Sequence, residues 1–163
     1  MIFAHTWQKV LSGEKSQTRR IVKPDHRSYV NPSFTGDAIT RVKPSTDYFD
    51  RDLYAVGKTY AVQPGRGKKQ VARIRITDIR QEDVRQISDE DVKAEGFNDP
   101  VDFWYVWCNM HDPKIDVYSI PCGWQQALND KARDSLLRQP ADRYQAWVLE
   151  FELVPERIQE AQP

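Results

Sequence analysis

The run Val71-Ala72-Arg73-Ile74-Arg75-Ile76-Thr77-Asp78-Ile79 most constrains what this chain can fold into. Ala72, Ile74 and Ile76 alternate with Arg73, Arg75 and Thr77, a period of two that gives an extended strand one apolar and one charged face. Lys58-Thr59-Tyr60-Ala61-Val62 reads as a second strand. The turn between them, Gln63 to Lys69, contains Gly65 and Gly67, which can supply positive φ. The two strands are therefore expected to form a hairpin with a basic tip. A further alternation runs from Tyr144 to Val154, where Trp147, Leu149, Phe151 and Leu153 face one way. It predicts a half-buried strand that closes the sheet.

Helical signals lie between and before these strands. In residues 4–12, Trp7, Val10 and Leu11 share a face, and Gly13 is a natural left-handed stop. The following segment, Glu14 to Val22, reads as a basic turn entering a strand. Ser88 can cap a helix whose first turn carries Asp89, Glu90 and Asp91, where the dipole favours negative charge. Gly96 closes that helix. Asp99-Pro100 opens another, with Pro at the first helical position, and its Phe103, Trp104 and Trp107 form a core stripe. Residues 108–123 read as a loop, and Trp124 to Arg138 as a helix ended by Pro140. Residues 24–55 contain Pro24, Pro32, Gly36 and Pro44 and no sustained period, so a surface excursion is expected there, with a short strand near Ala38–Val42. The elements together describe an α+β chain.

With 163 residues, 39% of them hydrophobic and 29% charged, the chain suits one domain with a real core. That domain is expected over 1–155, with 156–163 as a frayed tail. No eighteen-residue apolar run is present, so no membrane span is expected. The opening Met1-Ile2-Phe3-Ala4-His5 has no secretory pattern, and the expected compartment is cytoplasmic. Two cysteines are too few for a disulfide scaffold. Cys108, His111 and Cys122 could be three metal ligands, but a structural zinc site wants four. Neither a metal nor a cofactor is expected, and the chain is taken as a monomer.

The formal net charge is zero, yet residues 1–80 hold 16 Lys and Arg against 7 Asp and Glu, while residues 81–163 hold 8 against 17. A basic half is the footprint expected of a polyanion partner. The alternative is that the halves intertwine and their charges pair.

Gly13-Glu14-Lys15-Ser16-Gln17-Thr18-Arg19-Arg20 places Lys15, Arg19 and Arg20 beside two hydroxyls just past a helix end. Arginine suits phosphate through its planar fork. A lysine's pKa falls readily on burial, and a threonine hydroxyl near a base is a possible nucleophile. The same residues could equally form a solvated surface turn. Glu95 is unusual because it stands at the negative end of a helix, a cost of roughly 0.3–1 kcal/mol when exposed. A cation such as Lys15 or Arg20 would offset that cost.

Gly13-x-Lys15-x-x-Thr18-x-Arg20 resembles the N-terminal signature of the ASCH domain family, a branch of the PUA-like superfamily. Val56 to Val62 is similar to the family's second block. Ile74 to Ile79, followed by Ile87-Ser88-x-Glu90-Asp91 and Ala94-Glu95-Gly96-Phe97, is similar to the third. The resemblance implies a small PUA-like β-barrel flanked by helices, with a ligand cleft beside the Lys/Thr/Arg turn, and it implies RNA binding. One branch of the family hydrolyses the amide of N4-acetylcytidine. Carried over by position, its lysine, threonine and glutamate fall on Lys15, Thr18 and Glu95, and Arg20 matches a basic cleft residue. This chain is longer than the small members of that branch and has Arg19 where they carry an aliphatic residue.

Three functions follow as expectations. The first is a module that binds RNA or a modified nucleoside through Arg19, Arg20, Arg66, Lys68, Arg73 and Arg75. The second is a metal-independent amidohydrolase using Lys15, Thr18 and Glu95; a ribonuclease is less favoured because a histidine pair is not evident. The third is a protein-interaction module using the acidic half.

Overall fold

The computed structural model describes residues 1–4, 6–31, 36–41, 52–111 and 144–155. In chain order its elements are α1 (Trp7–Ser12), β1 (Gln17–Ile21), β2 (His26–Asn31), β3 (Gly36–Arg41), β4 (Tyr54–Ala55), β5 (Thr59–Val62), β6 (Ala72–Asp83), α2 (Asp89–Ala94), α3 (Pro100–His111) and β7 (Gln145–Leu153). The described strands form two antiparallel sheets, one in the order β1-β7-β6-β5 and one in the order β2-β3-β4. The α+β class is as expected, and the main antiparallel sheet curls as a half-barrel.

The two alternating runs become neighbours. β7 lies between β1 and β6, pairing Arg20 with Trp147 on one side and Ile79 with Leu149 on the other. The expectation of a half-buried closing strand needs correction. Ala146, Trp147, Val148 and Leu149 are all buried, because a central strand is covered on both faces. Ala146 packs under α2 and α3 with Val84, Val92, Phe103, Trp104 and Trp107. Trp147 and Leu149 join Ile39, Ile76 and Ile79, a cluster that holds the second sheet to the first.

β6 keeps its period of two only as far as Ile76. The register shifts between Ile76 and Asp78, which pair with Phe151 and Glu150, leaving Thr77 as an extra residue. A bulge of this kind bends a strand and resets its facing. It is why Ile76 and Ile79, three positions apart, are both buried.

The short helices rest on caps and packing, since six residues do not hold a helix alone in water. Gly13 ends α1 at φ 80° and donates its N–H to Val10. Ser88 Oγ accepts from the Asp91 N–H at 3.1 Å, and Val92 anchors α2 in the core. Phe103, Trp104 and Trp107 are core residues, as their spacing predicts.

Two loop expectations are overturned. The excursion over 24–55 contains β2, β3 and β4, and Ala38, Ile39 and Thr40 of β3 are fully buried. One covered face suffices to order a segment whose own period is weak. The loop read from residue 108 begins later, because α3 continues to His111. The helix expected at Trp124–Arg138, Cys122 and the 156–163 tail lie outside the described residues. No helix among the described residues is long and apolar enough to cross a membrane.

Candidate functional site

The basic turn docks on the end of α2. Ser16 donates its N–H to Ala94 O at 2.9 Å and accepts from the Phe151 N–H at 2.8 Å, so the turn bridges the helix and β7. Lys9 reaches from α1 to donate to Gly96 O at 2.7 Å. Gly96 holds φ +87°, and a Cβ there would lie 3.3 Å from both Lys15 Cβ and Lys9 Cδ. The lysine stems therefore pass close over a position where any side chain would be strained.

This approach explains Glu95 at the negative end of its helix. Lys15 Nζ donates to Glu95 O at 2.5 Å and to Glu95 Oε2 at 2.6 Å. One amine thus answers both the helix-end carbonyl and the carboxylate. Lys15 and Glu95 are each only 4% exposed. Burial holds the Lys15 amine below its ordinary value of 10.5; the Glu95 carboxylate opposes that shift, and Arg20 and then Arg19 add to it. Burial disfavours a charged ammonium, and nearby like charges act in the same sense.

Arg19, on β1, is also buried. Its Nε and Nη2 donate to Glu82 Oε1 at 3.1 and 2.8 Å, its Nη2 to Asp91 Oδ2 at 2.8 Å, and its Nη1 to Glu95 Oε1 at 3.2 Å. Arg80 continues the network to Asp91 at 2.9 Å and to Glu150. Burial works against ionisation of Asp91, but Gln17, Arg19 and Arg80 outweigh it and leave the carboxyl below its usual value. Arg19, expected to hold the ligand, has its fork engaged by three carboxylates while it also lines the cavity described below.

These contacts also resolve the charge asymmetry. Lys15, Arg19, Arg75 and Arg80 of the basic half pair with Glu82, Asp91, Glu95, Glu150 and Glu152 of the acidic half. The halves intertwine, and much of the apparent excess is internal pairing.

Lys15, Thr18, Arg19, Arg20 and Glu95 line one cavity of about 570 Å³. Its remaining wall is largely apolar, from Ile2, Phe3, Phe97, Phe103, Val106, Trp107 and Met110, with Tyr54 contributed by the second sheet. The Thr18 hydroxyl makes no hydrogen bond with a described residue. Arg20 donates to Ile2 O at 3.2 Å and stands 6.0 Å from the Phe3 ring centre. It has no carboxylate partner among the described residues. The imidazole of His111 lies against the Trp107 ring, 4.4 Å between centres. Desolvation there, then the Arg20 cation, pushes it below its ordinary value, although the residue as a whole is exposed.

The other expected ligand residues stand elsewhere. Arg66 and Lys68 lie in the exposed β5–β6 turn, where Lys68 O accepts from Gln63. Arg73 donates to Thr59 Oγ1 at 2.9 Å, and Arg75 pairs with Glu152 at 3.1 Å. None of the four lines the cavity. Sequence reasoning missed Lys9, Glu82 and Asp91. Only Lys9 had a local signal, since it sits one helical turn before Gly13. No cluster of His, Cys, Asp and Glu among the described residues could hold a metal ion.

No family model matches the sequence, and no curated protein matches it. Among solved structures, the chain is similar to a protein from Enterococcus faecalis described by the family model DUF984, at 18% identity and TM-score 0.46, over 91% of this chain and 69% of that one. It is also similar to an ASCH domain from Lactobacillus crispatus, at 16% identity and TM-score 0.45, over 90% of this chain and 69% of that one.

Proposed function

We propose that this protein binds a modified nucleoside, free or within RNA, in the cavity beside β1. The observation that carries the reading is the joining of Lys15, Thr18, Arg20 and Glu95 at one end of a cavity whose other walls are mainly aromatic and aliphatic. Ligand pockets of about 300–1,000 Å³ combine such an apolar wall with a few convergent polar groups. A flat base suits the aromatic side, and Arg20, without a carboxylate partner among the described residues, is available to an oxygen or phosphate of the ligand.

A second reading, amide hydrolysis of an acylated nucleoside, is favoured by the burial of Lys15, which holds its amine below the ordinary value and so eases formation of the neutral, proton-accepting form. A neutral amine has two N–H bonds and one lone pair. In that form both hydrogens would serve the two Glu95 contacts, at 2.5 and 2.6 Å, and the lone pair would remain for an incoming proton. In this mechanism Thr18 Oγ attacks the amide carbon and its proton passes to Lys15 Nζ. Arg20 faces the developing oxyanion. The C–N bond then breaks, the proton goes to the departing amine, and water cleaves the threonyl ester. No hydrogen bond joins Thr18 to Lys15 in the free protein, and catalytic contacts often tighten only with substrate in place.

Calorimetry with cytidine and N4-acetylcytidine tests binding, and chromatography of the same mixtures tests turnover. Saturable binding that weakens at least tenfold in Arg20→Ala is expected. Absence of binding to either nucleoside and to RNA carrying them sinks the first reading. Full turnover by Thr18→Ala sinks the second.

A further inference from the structure

We propose that Arg19 is a positioning residue: its guanidinium holds Glu95 Oε1 so that the carboxylate presents only Oε2 to Lys15, which keeps the Lys15 amine available to the cavity. The chemical meaning of that amine rests on the hydrolytic reading above, but the arrangement itself does not.

Arg19 approaches the pair from the side opposite Lys15. Lys15 takes Glu95 Oε2 at 2.6 Å, and Arg19 takes Oε1 at 3.2 Å. The two cations thus divide one buried carboxylate. Arg19 is itself held by Glu82 at the end of β6 and by Asp91 in α2. Four of its five N–H bonds are used in these contacts. A planar fork anchored at two other points cannot follow Glu95, so Glu95 must adapt to it. A lysine at this position would supply charge without the fixed directions.

Without Arg19, Oε1 would be a buried acceptor with no partner, and the carboxylate would turn its full charge toward Lys15. The amine would then hold its proton more tightly. Arg19 also opposes the Lys15 charge directly. Both effects of its removal have the same sign.

The test is a ¹³C NMR titration of labelled lysine in the full chain, with the Lys15 signal assigned through Lys15→Met. Two variants separate positioning from charge. Arg19→Met removes the fork and its charge, while the double variant Arg19→Met/Glu82→Gln removes one cation and one anion, so it keeps the charge balance and avoids the unpaired buried charge of the single variant. In both, the Lys15 midpoint is expected to rise by about one pH unit or more. A midpoint at or below the wild-type value in the double variant overturns the inference. Loss of turnover in wild type would instead sink the hydrolytic reading and leave this result standing.

Discussion

Two basic stretches of this chain meet opposite fates. Lys15 to Arg20 and Arg66 to Arg75 look alike in residue type, yet Lys15 and Arg19 are 4% and 3% exposed while the Arg75 side chain is 49% exposed. The first stretch follows a helix stop and enters a strand beside β7, so its cations are drawn under α2. The second forms the turn and outer face of a hairpin at the edge of the sheet, where β5 is the last strand. Charge density does not separate the two, but burial does. A buried cation must be paired, whereas an exposed one is solvated and its ion pairs are worth little.

The sharpest way to break this contrast is Glu95→Ala. It leaves the buried Lys15 amine and Arg19 fork without their shared carboxylate, and should lower unfolding free energy by about 3–5 kcal/mol. Urea denaturation measures it, and a loss no larger than that of a surface mutation would place Lys15 on the solvated side. Gly96→Ala comes next. It imposes a left-handed conformation on a residue with a side chain and pushes a methyl group against two lysine stems. A cost of about 1–2 kcal/mol is expected from the backbone alone, with weaker ligand binding in the same calorimetric assay. The smallest effect belongs to Arg75→Ser. Its partner Glu152 is 56% exposed, and stability should change by less than about 1 kcal/mol, with nucleoside affinity unchanged. A large loss of affinity would extend the ligand surface across the hairpin.

Local chemistry made much of the fold legible. The alternation at Ala72–Ile76, the Ser88 cap, the Gly13 and Gly96 stops and the aromatic stripe of α3 each stand where their short-range rules place them. Over 26–41 the same rules found the short strand near Ala38–Val42, which β3 overlaps, but missed β2. Among the described strands β2 pairs only with β3, and the covered residues there are His26, Ala38, Ile39 and Thr40. Too few apolar positions remain there to establish a period. They also failed at Ile79, where the Thr77 bulge shifts the facing of every later residue by one.

The candidate site divides in the same way. Lys15, Thr18 and Glu95 stood out through residue type and spacing, and they do line one cavity. Arg19 was legible as a cation but not as a clamp, because Glu82, Asp91 and Glu95 lie more than sixty positions away in the chain. Which acids reach it depends on β7 inserting between β1 and β6, and on α2 folding back over that seam.

Residue order alone settles the elements that depend on neighbours a few positions apart: strand periods, helix caps and the glycine that stops each turn. Which charges meet, which remain in water and which amine is held below its ordinary pKa were decided by the folded arrangement. Those outcomes turn on desolvation and on ångström-scale distances between segments far apart in the chain, and neither quantity exists until the sheet and helices have packed.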